Sequence, residues 1–390
     1  MVVLVAAFVL LALTGYTSRD PDSTVYAGIA ARMSSEPLMR WIAPAWWGAW
    51  GNEGLFREHP VGIFVLPAAL ARLGYPPVQA AYAVNAAFQV LTLVLVSAVA
   101  AAVASRRESR ALAWALQLIL IAFVFRIRAN QEYAVLAGVL AALYATEQSR
   151  ARVSWAWITA VAFAWVLLVK GVFGLMVPAL CAVWLAARQH GESSPRLAPW
   201  GALGLTLLVA PVLTFAYESA YRTVTGESFL AFYTGPRLDA GSVAEGSLAR
   251  WPYNGMWYTG RLIWYALPWS VFALGALAAY VHHLGGGVSR RIVAGMSRES
   301  RSGLAFAAIS SAVLVVAFAL SDRKADRFIF PAYFILGGAG ALTAFRCSPR
   351  MSRVVEVLDK PWVPAACWLV LFLVRLASGG QLPRFTFWRS

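Results

Sequence analysis

The chain has 390 residues, of which 60% are hydrophobic and 13% charged, with 17 tryptophans and a mean hydropathy of +0.64. No soluble core of this length needs such an apolar excess, so the composition is that of an integral membrane protein. The formal charge of +15 is scattered in short clusters between apolar runs, which excludes a nucleic-acid-binding face and leaves anionic lipid headgroups as partners of the basic residues.

In chain order, residues 2–16 read as an uncleaved first span, because no basic n-region and no small-residue cleavage site precede Tyr16. Apolar windows predict further spans at 78–104, 111–126, 133–147, 153–169, 172–187, 199–217, 261–284, 302–320, 327–345 and 361–378. The expectation is thus an all-α polytopic bundle of about eleven transmembrane helices, and not a barrel, whose strands would alternate. With the N-terminus in the cytoplasm, the Arg-rich loops around Arg106–Arg110, Arg150–Arg152, Arg188–Arg196, Arg290–Arg301 and Arg346–Lys360 all fall on the cytoplasmic face. The opposite face receives 17–77, 126–132, 170–171, 218–260 and 321–327.

Within the first extracytoplasmic loop (17–77), residues 22–35 predict a helix capped by Asp22 or Ser23, and 61–73 an apolar helix too short to cross. Both are expected at the interface as juxtamembrane helices. A crossing at 61–73 would invert the sidedness of every later loop. No repeat or linker divides the chain, and about a dozen residues follow the last predicted span, so one membrane domain over 1–390 is expected, with no C-terminal soluble domain. Cys181, Cys347 and Cys367 show neither CxxC nor metal-ligand spacing, so no disulfide framework is expected.

The chemistry-bearing residues have ordinary explanations when taken singly. A helix cap accounts for Asp22. In "REHP" (57–60), Pro60 suits a first helical turn and Glu58 the positive end of its dipole. Lys170 either snorkels to the interface or serves a site. Glu58 and Glu132 either pair with Arg57 and Arg128 as surface ion pairs or, with His59, hold a divalent cation, although no spacing demands it. Trp46, Trp47 and Trp50 read first as interface anchors, and His282 and His283 as headgroup contacts.

Taken together, six elements recur in a fixed order on one predicted face: "DSTVY" (22–26), "EHP" (58–60), Glu132 in "NQEY", "KG" (170–171), Arg237 in "TGPRL" ahead of "LPW" (267–269), and "SDRKADRFIFPAY" (321–333). In this the chain resembles the lipid-linked-sugar glycosyltransferases of the GT-C fold, the branch containing aminoarabinose lipid A transferases and protein O-mannosyltransferases. It departs from them at Ser23, where a second acid is usual, at His59, where lysine often stands, and at Glu132, where aspartate is commoner. Those departures leave the donor sugar and metal use open.

The resemblance implies inverting transfer of a sugar from a polyprenyl-phosphate donor to an extracytoplasmic lipid, glycan or protein acceptor, at the inner (plasma) membrane. It implies Asp22 as general base, with Lys170, Arg237, Arg323, Lys324 and Arg327 as cations for the phosphate. Asp20, Tyr26, Glu58, His59, Glu132 and Tyr333 complete the implied substrate site. No cofactor is required on this reading; a divalent cation is an option, with Glu58 and His59 as its candidate ligands. The rival is a polytopic transporter or lipid flippase, which needs ionisable residues mid-span; 78–104, 302–320 and 361–374 are almost free of them. A non-catalytic assembly subunit leaves the clustered acids and bases without a task.

Overall fold

The computed structural model describes residues 20–48, 51–52, 54–125, 128–190, 196–233, 247–284, 297–320, 324–347 and 349–360, with Trp362 and Ala366. The predicted span 2–16 lies outside these residues, as do nearly all of 361–378, Trp50, Arg237, Arg323 and the side chains of His282 and His283.

The first described helix, α1 (Pro21–Ser35), starts where Pro21 pre-sets the helical backbone and the Asp20 side chain accepts from the Ser23 amide. The expected cap at Asp22 or Ser23 is therefore corrected to Asp20. A small antiparallel hairpin, β1 (Gly51–Asn52) with β2 (Leu55–Phe56), leads into α2 (Gly62–Arg72). Helices α1 and α2 pack on each other and on α3 (Pro77–Ala100), the next apolar span. At Gly62 a β-carbon would sit 2.8 Å from the Leu168 carbonyl, so the chain can approach this closely only through glycine.

The predicted span 111–126 is broken. A capping box at Ser105 and Glu108 starts α4 (Arg106–Ala115), a 3₁₀ turn follows, and α5 (Leu120–Phe125) completes the segment. The centre of the bundle is α6 (Glu132–Ser149), buried on nearly every side, as its all-round apolar sequence requires. Helix α7 (Ala156–Lys170) packs antiparallel to it across a short turn.

Helical residues continue without a gap from Val153 to Gln189, yet the chain reverses at Gly171, whose φ is +61°. Lys170 pairs with Glu132 at one end of α6, while Arg188 on α8 (Met176–Gln189) pairs with Glu147 at the other. Because Trp155 packs on Tyr144, near the same end of α6 as Glu147, the chain runs along α6 to Lys170 and back to Arg188, so it turns near Gly171.

Next come α9 (Ala198–Thr206) and α10 (Val209–Thr225), which together extend the predicted 199–217 span. Helix α11 (Ser247–Tyr265) and α12 (Trp269–Leu284) meet at a bend of 117°. Along α11, Tyr253, Asn254 and Tyr265 all touch the 319–326 segment, so this helix lies across the end of the bundle. The predicted span 261–284 is thereby corrected to begin at Trp269, after the Pro268 break. The last long helices are α13 (Arg298–Ala319) and α14 (Phe330–Cys347), followed by α15 (Pro349–Leu358).

Among the described residues, Pro77–Ala100, Val153–Gln189, Ala198–Thr225, Arg298–Ala319 and Asp326–Cys347 are long and apolar enough to cross a membrane. Ion pairs stitch the Arg-rich end: Glu147 takes Arg150 and Arg188, Glu108 takes Arg346, and Asp359 takes Arg110. Against the cost of burial, the Arg346 guanidinium and the Ser105 cap lower the Glu108 carboxyl to about 2.

Gly62→Ala is expected to cost about 1–3 kcal/mol, because its new methyl meets backbone that cannot rotate aside. Gly255→Ala, where a β-carbon meets nothing within 4 Å, is the control. Thermal unfolding in lipid nanodiscs should show a lowered midpoint for the first and none for the second.

Candidate active site

At the end of the bundle away from the Arg-rich loops, α1 begins with two acids that do different work. Asp20 is structural: its Oδ2 accepts from the Ser23 amide (3.1 Å) and the Ser23 hydroxyl (3.0 Å), while Oδ1 faces Arg128 at 3.4 Å. The Ser23 hydroxyl in turn accepts from the Ala129 amide at 3.0 Å, tying α1 to the turn before α6. Asp22 is thus released from capping, and its Oδ2 pairs with the Arg327 guanidinium. Burial raises the Asp22 carboxyl above the ordinary aspartate range; Arg327 and Arg128 oppose this, while Asp20 and Glu132 add to it.

Behind this pair lies a second, fully buried one. Lys170 and Glu132, 3% and 1% exposed, meet at 3.1 Å, and the Lys170 ammonium also donates to the Arg327 carbonyl at 3.4 Å. The second Glu132 oxygen is buried without a hydrogen-bond partner. The surface pairing with Arg128 expected for Glu132 is corrected to this internal pair with Lys170, and the snorkelling explanation of Lys170 does not hold. Local backbone explains the "KG" spacing. Lys170 is the last residue of α7, Gly171 takes a positive φ that a side chain would strain, and the next amide, Val172 N–H, donates to the Tyr233 hydroxyl at 3.1 Å.

Arg327 rises from a 3₁₀ turn, Asp326–Ile329, at the head of α14. The Tyr333 hydroxyl donates to the Asp326 carbonyl at 3.0 Å, so Tyr333 braces the turn from within. Tyr265 donates to the Asp326 carboxylate at 3.1 Å, and Arg261 stands 3.5 Å from its other oxygen. Lys324 lies over the Tyr253 ring, 4.2 Å from its centre.

The "EHP" segment sits one layer back. Tyr26 donates to His59 Nε2 at 2.9 Å, and His59 Nδ1 donates to the Pro60 carbonyl at 2.8 Å. A carbonyl can only accept, so Nδ1 carries a proton. Phe56, Phe64 and Tyr26 surround the ring. Burial pushes the Tyr26 hydroxyl up, and it stays protonated. Both His59 ring nitrogens are engaged, so of the expected cation ligands His59 has no ring nitrogen to offer. Among the described residues no three His, Cys, Asp or Glu side chains gather as metal ligands. Arg57 is buried and reaches Glu227 and the Tyr221 hydroxyl, so it is not the surface residue the sequence suggested. Trp46 packs against Gly28, where a β-carbon would meet it at 2.8 Å, whereas Trp47 is exposed under Arg32.

The structure therefore brings together Asp20, Asp22, Glu132, Lys170, Arg327 and, behind them, Tyr26, His59 and Tyr333. Lys324 stands to one side, and Arg237 and Arg323 lie outside the described residues. Sequence reasoning missed Arg261 and Tyr265, and it gave Ser23, Arg128 and Asp326 no place in the site. Separately, a cavity of about 1020 Å³ runs along α14 from Phe334 to Cys347, walled by Val271, Gly275, Gly338 and Leu342. It contains none of the charged cluster.

No protein-family model matches the chain, and no curated protein matches it. Its fold is similar to ArnT from Cupriavidus metallidurans bound to undecaprenyl phosphate, with 18% identity and a TM-score of 0.67 over 97% of this chain and 63% of that one. The apo state of the same ArnT gives 18% and 0.64 over 100% and 65%. The archaeal oligosaccharyltransferase AglB from Archaeoglobus fulgidus, in complex with an inhibitory peptide and a dolichol-phosphate, gives 13% and 0.56 over 97% and 54%. The fold is that of the GT-C glycosyltransferases, as the motif order implied, and the chain spans less than two thirds of each protein's length.

The buried pair sets a stability test. Lys170→Met leaves Glu132 charged without a partner and should cost about 3–5 kcal/mol, whereas Lys170→Met with Glu132→Gln should recover most of the loss. Equal thermal midpoints for the single and double variants would contradict the pairing.

Proposed function

We propose that the protein is an inverting glycosyltransferase of the inner (plasma) membrane that moves a sugar from a polyprenyl-phosphate donor to an acceptor on the extracytoplasmic side. The observation that carries this reading is the Asp22–Arg327 pair: a base and an anion-binding group side by side, at one end of an apolar bundle. A transporter needs its ionisable groups at the bilayer centre. Here they gather at the end where α1, α7 and α14 meet.

The acceptor's O–H or N–H proton passes to the Asp22 carboxylate as the acceptor atom attacks the anomeric carbon. The bond from that carbon to the phosphate oxygen breaks on the opposite face, its electron pair staying with the polyprenyl phosphate, and configuration inverts. Arg327 meets the charge of the leaving phosphate, with a guanidinium fork that suits its oxygens. For this, Arg327 hands over from carboxylate to phosphate, which frees Asp22 for the proton. Lys170 and Glu132 support Arg327 from beneath. Lys324, Arg237 and Arg323 are the further cations assigned to the donor. Asp20, Tyr26, His59 and Tyr333 hold the frame, and Glu58 faces the sugar. The acceptor is a lipid, glycan or protein bearing a hydroxyl or amine. A divalent cation, if used, would find Glu58 as a ligand. On this reading anionic lipids meet the Arg-rich loops at the opposite, cytoplasmic end.

The prenyl chain has a place in the same scheme. The cavity along α14, mostly apolar but with Glu299 and Arg346 at its Arg-rich end, begins at Phe334, seven residues beyond Arg327, or about 10 Å along a helix. A phosphate at Arg327 can lay its chain there.

Asp22→Asn should lower kcat by about 10²- to 10⁴-fold in transfer from a polyprenyl-phosphate sugar; near-normal turnover refutes the role. Activity falls as pH drops through the Asp22 pKa, and because burial raises that pKa, the acid limb should lie above the ordinary aspartate value. Arg327→Gln removes an opposing charge and should move the limb higher still. Gly338→Trp, which fills the cavity, should raise KM for an undecaprenyl donor by about tenfold and leave a geranyl-length donor unaffected. Equal effects on both donors would place the chain elsewhere.

A further inference from the structure

Arg261, Tyr265 and Trp257 recur every four residues along α11, so they share one face of the helix. That face is turned onto Asp326, the residue immediately before Arg327. The three polar groups close a ring: Arg261 Nε stands 3.5 Å from Asp326 Oδ1, the Tyr265 hydroxyl donates to Oδ2 at 3.1 Å, and Arg261 Nη1 donates to the Tyr265 hydroxyl at 3.2 Å. The guanidinium is also sandwiched by aromatic faces, 4.9 Å from the Trp257 ring centre and 5.7 Å from that of Tyr265. Its side chain is 18% exposed.

We propose that Arg261 is a positioning residue: with Tyr265 it grips the Asp326 carboxylate and so fixes the turn from which Arg327 reaches Asp22. The inference rests in part on the proposed function, since its consequence for catalysis runs through Asp22. Three helices tether this short turn. From α11 come Arg261 and Tyr265; from α14 the Tyr333 hydroxyl donates to the Asp326 carbonyl at 3.0 Å; from α7 the Lys170 ammonium donates to the Arg327 carbonyl at 3.4 Å. The Arg327 side chain leaves in the remaining direction and meets α1. Fixing the backbone on both sides of Arg327 keeps its guanidinium at one distance from Asp22 instead of letting it swing.

A plain, partly exposed ion pair contributes almost nothing measurable, so on that ordinary view Arg261→Gln is silent. The clamp predicts otherwise, and the first readout needs no turnover. Hydrogen exchange by mass spectrometry on the full chain in nanodiscs should show the 326–329 amides exchanging about tenfold faster in Arg261→Gln than in wild type, with Arg261→Lys, which keeps the charge without the fork, in between. If Arg261→Gln does not fold, Tyr265→Phe is read by the same criterion. Unchanged exchange in a folded variant overturns the proposal.

The second readout is the pH profile of kcat/KM. Asp22 faces Arg327, Arg128, Asp20 and Glu132, and of these the clamp controls Arg327. Arg261→Gln should move the acid limb upward, as Arg327→Gln does, and the double variant should move it no further than Arg327→Gln alone. A further loss of donor affinity in the double variant would mean that Arg261 binds the donor itself and overturns the positioning role. Faster exchange in a chain that transfers no sugar would keep the clamp and remove the proposed function, so the two can fail separately.

Discussion

The contact on which the rest depends is the Arg327 guanidinium against the Asp22 carboxylate, which joins residues 305 positions apart in the chain. Where an apolar bundle meets the edge of the bilayer, a charge without a partner is expensive, and a carboxylate and a guanidinium find each other strongly. Around this contact the structure adds a second pair, Lys170 with Glu132, whose ammonium also holds the carbonyl of Arg327 itself. The pairs are therefore layered: the outer one, 30% and 22% exposed, is partly open to solvent, and the sealed one holds the backbone beneath it. Layering of this kind lets the outer pair open without loosening the inner one.

Much of the scaffold was legible. The two short helices near the start appear at Pro21–Ser35 and Gly62–Arg72, close to 22–35 and 61–73, because a cap, a proline and an abrupt loss of apolar length are all local signals. The cap itself was misassigned although a signal existed. In "DPD" the proline belongs at the first helical position, which makes the acid before it the cap and frees the acid after it. The spans at 111–126 and 261–284 read as continuous because hydropathy averages over a window. It cannot see a 3₁₀ turn at Leu116–Leu118 or a chain that turns through 117° around Pro268.

The identity of partners was not legible. Glu132 lies four residues from Arg128 in sequence, and that proximity suggested a surface pair; folding sends Arg128 to Asp20 and Glu132 to Lys170. Arg57 likewise finds Glu227, 170 residues away. Long-range choice of this kind depends on which helix ends converge, and neither composition nor periodicity carries it. Arg261 escaped notice for the same reason: it sits in a stretch whose aromatic neighbours resemble a membrane span, and its acid is supplied from 65 residues away.

The reversal at Gly171 gives α6 a mechanical property. It is held at one end by Lys170 of α7 and at the other by Arg188 of α8, through Glu132 and Glu147, which are fifteen residues or about 22 Å apart along the helix. Neither flanking helix can slide past α6 without rupturing a pair, so the bundle has a fixed height. A membrane thicker or thinner than that height has to dimple, swell or tilt the whole bundle, and the lipid, being softer, absorbs the difference.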